Sequence, residues 1–374
     1  MKKVLLIETL SQINGGQKMS LLVSDMLRES GEYEVIWAIP EEGILSSKLK
    51  ETGYQYYLLG DLTLPAGVKA KSTAFKYGTM SVRAISRIMK IIRKEKIDMI
   101  YAPGPAALPW SAVCGNMSRK PVIWHLHHLF EDGPTRKLIN YCCRFGSVKK
   151  IIAVSETTGK QITDSDKLAV LYNPVDFLKY STGDKTKVQS EFPFSTGRPI
   201  IAHVALLEEE KRQKVTVQTI AELKKKGIEA YAAFVGTVKP GDDQYLDQLK
   251  SMADDLEVAD QCCFLGYRTD VQDILAVSDV AFIPSIEGFP LAGLEACAAG
   301  VPVVACNKAG AGELVEKAIC GLTFLYNNAS DAAEKIAMCL CNVNEYCKTG
   351  ILFSKSCEEK KYRERMIECF RSGE

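Results

Sequence analysis

Two carboxylates that stand eight residues apart, Glu287 and Glu295, are the best candidates for chemistry in this chain. Glu287 lies beside Gly288 in a segment that predicts a turn, whereas Glu295 lies in a run of helix-forming residues. The stretch therefore predicts a strand, a glycine loop, a helix and a second buried strand over 301–305. The amides at the start of such a helix suit an anionic group, and Glu295 could accept hydrogen bonds from sugar or ribose hydroxyls.

A second candidate is the pair Gly15 and Gly16, which follows the first predicted strand and precedes a helix predicted over 18–29. Glycines let a ligand approach the backbone closely, and the start of the following helix favours phosphate. Ordinary turn glycines are the alternative. The spacing G-x-G-x-x-G is absent, which argues against a dinucleotide such as NAD.

Three of the four histidines in the chain, His125, His127 and His128, follow one predicted strand. Their spacing is poor for a metal site, because no cysteine lies close enough in sequence to complete one. On a strand, His125 and His127 share a face and His128 lies opposite. Each of them either contacts a ligand or is a histidine of the core.

Four further candidates lie in three loops of the second half of the chain. Lys211 belongs to a charged run over 208–214, for which a solvated surface loop is the alternative. Gly236 ends one predicted strand, and Tyr267 and Arg268 follow the next one. Ligands of parallel sheets bind beyond the carboxyl ends of the strands, so we expect these loops to line a site.

Strands and helices alternate along the chain, which is typical of doubly wound parallel sheets. Strands are predicted over 4–7, 33–38, 56–58, 99–101, 122–125, 151–154, 200–205, 231–235, 262–265, 280–283 and 301–305, and helices over 18–29, 82–96, 215–226, 243–256 and 354–371. A polar segment over 179–197 interrupts the alternation and is the best candidate for a linker, and 374 residues are too many for one ordinary core. The sequence therefore predicts an α/β protein of two Rossmann-like domains, over 1–178 and 190–350.

The composition, 47% hydrophobic and 25% charged, is that of a globular protein. No apolar run reaches the roughly 18 residues that span a bilayer, and no signal peptide is evident, so we expect a cytoplasmic protein. The thirteen cysteines lack zinc-site spacing and are predicted to be reduced thiols. Residues 1–190 carry a net charge of +9 and residues 191–374 carry −8, which indicates that one domain faces an anionic partner.

The segment from Pro284 to Ala305 resembles the Glu-x7-Glu signature of retaining glycosyltransferases of family 4, which have the GT-B fold. The resemblance covers nearly the whole chain and is most specific over 200–315. It implies two Rossmann-like doubly wound parallel-sheet domains that face a cleft, with the C-terminal helix over 354–371 packing back on the N-terminal domain. It also implies a retaining hexosyltransferase that uses a UDP- or GDP-sugar without a cofactor or a metal ion.

The resemblance assigns roles to the candidate residues. His127 would contact the transferred sugar, Lys211 the diphosphate, and Glu287 the sugar and phosphate, so these three are the predicted catalytic residues. Glu295 would hold the ribose. The predicted donor-binding set is Gly15, Gly16, Lys211, Gly236, Tyr267, Arg268, Glu287, Gly288, Phe289, Pro290, Leu291 and Glu295. The family usually has an arginine, a second cation for the phosphates, where this chain has Leu206.

The resemblance implies a glycan or lipid-linked acceptor, in cell-surface polysaccharide or glycolipid assembly. Residues 69–96 contain nine Lys and Arg against one Glu, and the helix over 82–96 predicts a contact with the inner face of a membrane. A solvated helix packed on the sheet is the alternative. Nucleic acid is not expected, because no aromatic residues are interspersed with the charges.

Leu206 keeps a second function open, that of a catalytically weak or inactive GT-B protein which binds nucleotide or glycan as an assembly partner. A sugar-nucleotide epimerase of the same fold fits less well, because the resemblance implies that such enzymes lack the Glu-x7-Glu loop.

Overall fold

The chain forms two compact units, each with its own parallel sheet. The computed structural model describes residues 1–60, 71–130, 132–163, 165–239, 241–242 and 244–373. Unit 1 comprises Met1–Tyr172 together with Tyr362–Glu374, and unit 2 comprises Asn173–Lys361. The prediction of two doubly wound α/β sheets is confirmed.

Unit 1 is built on seven parallel strands. In chain order its elements are β1 (Lys2–Ile7), α1 (Gly15–Glu29), β2 (Tyr33–Ile39), α2 (Ile44–Glu51), β3 (Tyr56–Leu58), α3 (Lys71–Glu95), β4 (Met99–Ala102), α4 (Ala107–Ser118), β5 (Val122–Leu126), α5 (Pro134–Cys142), β6 (Val148–Ala153), α6 (Glu156–Gly159) and β7 (Leu168–Val170). The strand order is β3-β2-β1-β4-β5-β6-β7. Strands β1, β4 and β5 are apolar almost throughout because helices cover both faces of a parallel sheet.

Unit 2 is built on six parallel strands. Its elements are α7 (Phe177–Ser181), β8 (Ile200–Val204), α8 (Gln213–Lys225), β9 (Tyr231–Val235), α9 (Gln244–Asp255), β10 (Cys262–Gly266), α10 (Val271–Val277), β11 (Val280–Ile283), α11 (Leu291–Ala298), β12 (Val303–Cys306), α12 (Ala309–Ala318), β13 (Gly321–Phe324), α13 (Ala329–Cys341), α14 (Val343–Ser356) and α15 (Glu359–Ser372), the last of which continues into unit 1. The strand order is β10-β9-β8-β11-β12-β13.

The prediction of one helix over 354–371 is wrong, because two helices meet there. Helix α14 ends at Ser356 and α15 begins at Glu359. Between them the carbonyl of Cys357 accepts a hydrogen bond from the amide of Val175 at 2.9 Å, and Val175 forms a β-bridge with Glu358. A backbone that pairs with an extended segment cannot continue the helical hydrogen bonds, so the helix is interrupted.

Several elements have no counterpart among the predictions. Helix α4 is apolar on almost every side, so its sequence shows no helical period. Strands β7 and β13 are only three and four residues long. Residues 69, 70 and 243, which belong to predicted segments, lie outside the described residues.

Two negative findings concern the described residues. None of the thirteen cysteines, all of which are described, forms a disulfide. Among the described helices, none is long and apolar enough to cross a membrane.

Candidate functional site

Glu287, in the loop between β11 and α11, lies against Lys211, in the loop between β8 and α8. The Nζ atom of Lys211 lies 2.7 Å from Oε1 of Glu287. The hydroxyl of Ser285 donates a hydrogen bond to the same oxygen, also at 2.7 Å. Both charged side chains keep contact with solvent, at 29% exposed for Lys211 and 21% for Glu287. A cation and an acid are therefore held at the start of α11, within reach of a ligand.

The backbone of this loop is held by α12. The amide of Gly310 donates a hydrogen bond to the carbonyl of Glu287 at 2.8 Å. A Cβ atom on Gly310 would lie 1.8 Å from the carbonyl oxygen of Gly288, so only glycine fits there. The conformation of the loop that carries Glu287 therefore depends on its close contact with the backbone of Gly310 as well as on its own sequence.

The loop residues that follow differ in exposure. Phe289 is buried, whereas Leu291, the first residue of α11, is partly exposed. Pro290 is the N-cap residue of α11, and its side chain forms no capping hydrogen bond. A helix start without a side-chain cap leaves amides directed outward, which is the arrangement that binds anions.

Glu295 lies in the second turn of α11 and is half-buried. Its carboxylate is a neighbour of the Tyr180 hydroxyl. Burial raises the pKa of the Tyr180 phenol, and the neighbouring Glu295 raises it further, so the hydroxyl stays protonated at neutral pH.

Tyr180 and Asn173 are site residues that sequence reasoning missed. Tyr180 falls in the segment over 179–197 that was predicted to be a linker, but it lies on α7, where Asp176 caps the helix by accepting from the amide of Lys179 at 3.0 Å. The side-chain amide of Asn173 donates to the carbonyl of Phe289 at 3.3 Å. The sequence signal that could have revealed α7 is the capping residue Asp176.

Leu206 supplies no charge, and the two cations that follow Lys211 in the chain, Arg212 and Lys214, already have partners. Arg212 lies 3.8 Å and Lys214 2.7 Å from carboxylate oxygens of Glu209. Arg212 also lies over the ring of Tyr326, at 5.5 Å from its centroid. Both cations therefore have partners of their own in unit 2.

The remaining candidates of unit 2 divide into structural and exposed residues. A Cβ atom on Gly236 would lie 2.0 Å from the carbonyl oxygen of Ala205, which explains the glycine by strand packing. Arg268 pairs with Asp270 at 2.7 Å and with Glu191 at 2.8 Å, and these hydrogen bonds, that to Asp270 first, raise the pKa of its guanidinium. Tyr267 is 74% exposed beyond β10 and has surface to offer a ligand.

In unit 1, Gly15 and Gly16 are the first two residues of α1. The prediction that they form a loop ahead of a helix starting at residue 18 is therefore wrong by one turn. Gln17 accounts for the earlier start, because its side-chain oxygen accepts from the amide of Asn14 at 3.2 Å and closes the first turn. A Cβ atom on Gly16 would meet nothing within 4 Å, so this end of the helix is open.

The histidines at the end of β5 lie in two environments. His125 is fully buried, and its Nδ1 atom is 2.6 Å from the hydroxyl of Tyr101. The ring centroids of His125 and His127 are 4.0 Å apart, although β5 ends at Leu126 and His127 lies just beyond the strand. Burial lowers the pKa of His125 to about 3. The pKa of His127 lies well below its usual value, chiefly because of burial and to a smaller extent because His125 and His128 are close. Both are therefore uncharged at neutral pH.

His127 lines a cavity of unit 1 with a volume of about 180 Å³. The lining residues are Glu8, Thr9, Leu10, Gly16, Gln17, Pro103, Gly104, Pro105, His127 and His128. The Nε2 atom of His127 is buried and has no hydrogen-bond partner in the described structure. Gly16 and His127, two predicted site residues far apart in sequence, thus share one cavity.

Glu8 is a third residue that sequence reasoning missed. It follows β1 and is 1% exposed. Its Oε1 atom accepts from the hydroxyl of Ser20 at 2.6 Å, and its Oε2 atom accepts from Gln17 at 3.1 Å and from the amide of Thr9 at 3.2 Å. Burial raises the pKa of Glu8, while these three hydrogen bonds act in the opposite direction. An isolated acid at a strand end carries no recognisable sequence motif.

A metal site is not evident in the described part of the chain. No group of three or more His, Cys, Asp or Glu residues there is arranged to hold a metal ion.

Two sequence models of protein families match the chain. The family described as Glycosyltransferase Family 4 matches residues 14–177, and the one described as Glycosyl transferases group 1 matches residues 184–350. Between them they account for both units except the chain ends and a short connecting stretch.

Curated relatives match at low identity over most of the chain. N-acetyl-alpha-D-glucosaminyl L-malate synthase of Bacillus anthracis is 23% identical over 316 residues, which are 80% of this chain and 78% of the relative. UDP-Gal:alpha-D-GlcNAc-diphosphoundecaprenol alpha-1,3-galactosyltransferase of Escherichia coli is 22% identical over 352 residues, 87% of this chain and 84% of the relative. Among solved structures, Anabaena HepE in complex with UDP superposes with a TM-score of 0.82 at 19% identity over the full length of both chains.

Proposed function

Because the chain belongs to the family 4, group 1 glycosyltransferases with the GT-B fold, we propose that it transfers a sugar from a nucleotide-diphosphate sugar to an acceptor hydroxyl, with retention of anomeric configuration. The observation that carries the proposal is the contact of 2.7 Å between Lys211 and Glu287 at the uncapped start of α11. It unites a phosphate-binding cation, helix amides and an acid in one short loop. The UDP complex of Anabaena HepE makes UDP-sugars the first donors to test.

Three residues of unit 2, Lys211, Glu287 and Glu295, have roles in this proposal. The donor diphosphate lies at the start of α11, where Lys211 and the loop amides neutralise the charge that grows on the leaving group. Glu287 binds the transferred sugar, and Glu295 accepts hydrogen bonds from the ribose hydroxyls. The ion pair of Lys211 with Glu287 keeps both side chains in place until the diphosphate takes over part of the contact with the lysine.

In unit 1, His127 contacts the transferred sugar as a neutral imidazole, with a nitrogen that no protein group occupies in the described structure. The reaction is proposed to need no metal ion, since Lys211 and the helix amides supply the positive charge. Activity that survives removal of metal ions with EDTA would support this point.

A thermal-shift panel of UDP- and GDP-sugars tests the proposed function. A ligand present at 100 times its Kd stabilises the folded state by about 2.7 kcal/mol, which raises the Tm measurably. The stabilising donor is then assayed for transfer, and NMR of the product gives the anomeric configuration. Stabilisation by none of the donors, or an inverted product, would contradict the proposal.

The second candidate function, a nucleotide- or glycan-binding protein without turnover, rests on Leu206 and on the partners of Arg212 and Lys214. Both cations are near Glu209, at 3.8 and 2.7 Å, so the donor phosphates have one cation fewer than the family pattern. Calorimetry with the stabilising donor separates the two functions. Donor binding without transfer or hydrolysis favours the inactive protein.

We expect Tyr180→Phe to raise the donor KM about threefold to tenfold and to leave kcat nearly unchanged. Tyr180 neighbours Glu295, and we propose that its hydroxyl orients the carboxylate through one hydrogen bond, a contact that contributes about 0.5–1.5 kcal/mol. Initial-rate kinetics over a range of donor concentrations measure the effect. Tyr346→Phe, on α14, is the matched control, and an equal effect of both variants would contradict the orienting role.

The acceptor is proposed to be a glycan or a lipid-linked sugar, assembled at the cytoplasmic face of a membrane. The apolar stripe of α3, including Ile88, Ile91 and Ile92, is buried in the core of unit 1 and cannot enter lipid. Its exposed side carries Arg83, Lys90 and other basic residues. The proposed membrane contact is therefore electrostatic.

We expect reversal of three of these charges, Arg83→Glu, Lys90→Glu and Arg93→Glu together, to weaken binding to vesicles at least tenfold. Each basic residue near an anionic surface contributes about 1 kcal/mol. Sedimentation with vesicles of 30% phosphatidylglycerol and 70% phosphatidylcholine measures it. Reversal of Lys224, Lys225 and Lys226 in unit 2 is the control, and wild-type protein that fails to bind these vesicles would contradict the membrane contact.

A further inference from the structure

The contact between Lys211 and Glu287 leaves the proposed donor site without a net positive charge. The two side chains carry opposite charges and lie 2.7 Å apart, so their fields largely cancel at a distance. A nucleotide-diphosphate sugar carries negative charge on both phosphates, and more accumulates on the leaving group during transfer. The amides at a helix start contribute only partial charges. A site that holds this diphosphate therefore needs a second cation.

Most cations at the carboxyl edge of the sheet of unit 2 already have an acidic partner. Ligands of parallel sheets bind at this edge, in the loops and first helical turns that follow the strands. Five lysine and arginine residues there lie 2.7–3.8 Å from a carboxylate oxygen: Lys211, Arg212, Lys214, Lys239 and Arg268. Lys308, in the loop between β12 and α12, forms no ion pair within the described part of the chain.

Lys308 adjoins the loop of Glu287 through the backbone. Strand β12 pairs with β11, so the loops that follow these two strands are neighbours. Ala309 forms a parallel β-bridge with Glu287, and the amide of Gly310 donates a hydrogen bond to the carbonyl of Glu287 at 2.8 Å. Lys308 is therefore one residue away from a backbone that is paired with Glu287.

The thiol of Cys306 joins the same two loops. It donates a hydrogen bond to the carbonyl of Ser285 at 3.0 Å and lies 3.9 Å from the carbonyl oxygen of Lys308. Burial raises the pKa of this thiol to about 11, and the charge of Glu287 acts in the same direction while the charge of Lys308 acts in the opposite one. Both charged groups are therefore within electrostatic range of one sulfur atom.

Lys308 is also available to a ligand. Its side chain is exposed, and it forms no capping hydrogen bond although Lys308 is the N-cap residue of α12. The start of this ten-residue helix adds partial positive charge at the same place. In the sheet, β11 lies between β8 and β12. The loop of Glu287 thus has Lys211 and the uncharged Leu206 in the loop after β8, and Lys308 in the loop after β12.

We propose that Lys308 is a catalytic residue of this chain, which binds the donor diphosphate and supplies the positive charge that Leu206 does not. With Lys211 paired to Glu287, the charge of Lys308 is the one that remains uncompensated. This role rests on the proposed glycosyltransferase function and adds a residue to its donor site. It also accounts for the missing cation on which the second candidate function depends.

Removal and retention of the charge are compared first. We expect Lys308→Met to lower kcat/KM at least tenfold for the donor identified by thermal shift, and Lys308→Arg to stay within threefold of the wild type because arginine keeps the charge. Lys226→Met is the matched control, since Lys226 is an exposed lysine at the end of α8, towards the opposite edge of the sheet. A kcat/KM for Lys308→Met within twofold of the wild type would overturn the inference.

Calorimetry distinguishes phosphate binding from a change in the fold. UDP is compared with uridine, and GDP with guanosine, in the wild type and in Lys308→Met. We expect the variant to bind the preferred nucleoside diphosphate at least fivefold more weakly and to bind the corresponding nucleoside as the wild type does. Equal losses for the diphosphate and the nucleoside would contradict a contact with the phosphates.

The substitution Leu206→Arg tests whether one cation replaces the other. Leu206 is partly exposed, so an arginine there adds a charge to the loop after β8. We expect Leu206→Arg to restore kcat/KM of Lys308→Met to at least one third of the wild-type value, and to have a smaller effect when Lys308 is present. Additive effects of the two substitutions would refute the shared role.

Failure of the proposed function gives a different result. Wild-type protein that binds a nucleoside diphosphate but transfers no sugar would contradict the transferase, and calorimetry of Lys308→Met would still decide the role of Lys308. Wild-type protein that binds neither UDP, GDP nor inorganic pyrophosphate would contradict the donor site and Lys308 together. Normal transfer and normal diphosphate binding in Lys308→Met would overturn the role of Lys308 alone.

Discussion

We expect Lys211→Met to lower kcat by about 10²–10³, the loss that follows removal of one preorganised group facing developing charge. Lys211 is held 2.7 Å from Glu287 ahead of α11, and the two cations that follow it in the chain, Arg212 and Lys214, lie near Glu209. The ammonium group of Lys211 interacts more strongly with the leaving diphosphate as negative charge accumulates there in the transition state. Removing it therefore lowers kcat more than it raises the donor KM. Initial rates with the donor identified by thermal shift measure both constants.

Two controls distinguish a loss of catalysis in Lys211→Met from a loss of folding stability. Met keeps the length of the lysine stem, and Glu287 keeps its hydrogen bond from Ser285, so the Tm should change little. Lys225→Met removes an exposed lysine at the far end of α8, where its partner is Glu222. We expect that control to match the wild type within twofold. A kcat within threefold of wild type for Lys211→Met would refute the role of Lys211.

We expect Glu295→Ala to raise the donor KM about tenfold or more, with a smaller change in kcat. Hydrogen bonds to an ionised group contribute about 1.5–3 kcal/mol, and each 1.4 kcal/mol is a factor of ten in affinity. The ribose is remote from the reacting bond, so its contacts are made equally in the ground state and the transition state. Donor-saturation kinetics and calorimetry with the nucleotide measure the change.

A donor with 2′-deoxyribose sharpens the test. The wild type should bind the 2′-deoxyribose donor more weakly than the ribose donor. Glu295→Ala should bind the two donors equally, because it lacks the carboxylate that accepts a hydrogen bond from the hydroxyl. Glu316→Ala, an exposed acid on α12, is the matched control. An unchanged donor KM in Glu295→Ala would refute the ribose assignment.

Much of the architecture was predictable because parallel strands are buried on both faces. The apolar runs that became β1, β4, β8, β9 and β11 are visible without any neighbour. The elements that escaped prediction lack that local signal. Helix α4 is apolar all round, and the break at Cys357 depends on pairing with Val175, which is far away in sequence.

The candidate site divides in the same way. The type and spacing of Glu287 and Glu295 are local properties, and glycine, proline and helix-forming residues place them on a loop and a helix. The partners of these acids are not local. Ser285 is a sequence neighbour of Glu287, but Lys211 is 76 residues away, and Tyr180 reaches Glu295 from a segment predicted to be a linker.

The sequence by itself therefore determined the class of the protein, two parallel α/β sheets with an acid-bearing loop at the end of a strand, because backbone preferences and apolar patterning act over a few residues. Only the tertiary structure decided which charges are engaged. It placed Lys211 on Glu287, occupied Arg212, Lys214 and Arg268 with acids of their own, and buried Glu8 in a cavity with His127. Electrostatic and hydrogen-bond partners depend on distances of a few ångströms between segments far apart in sequence, and those distances exist only once both sheets have formed.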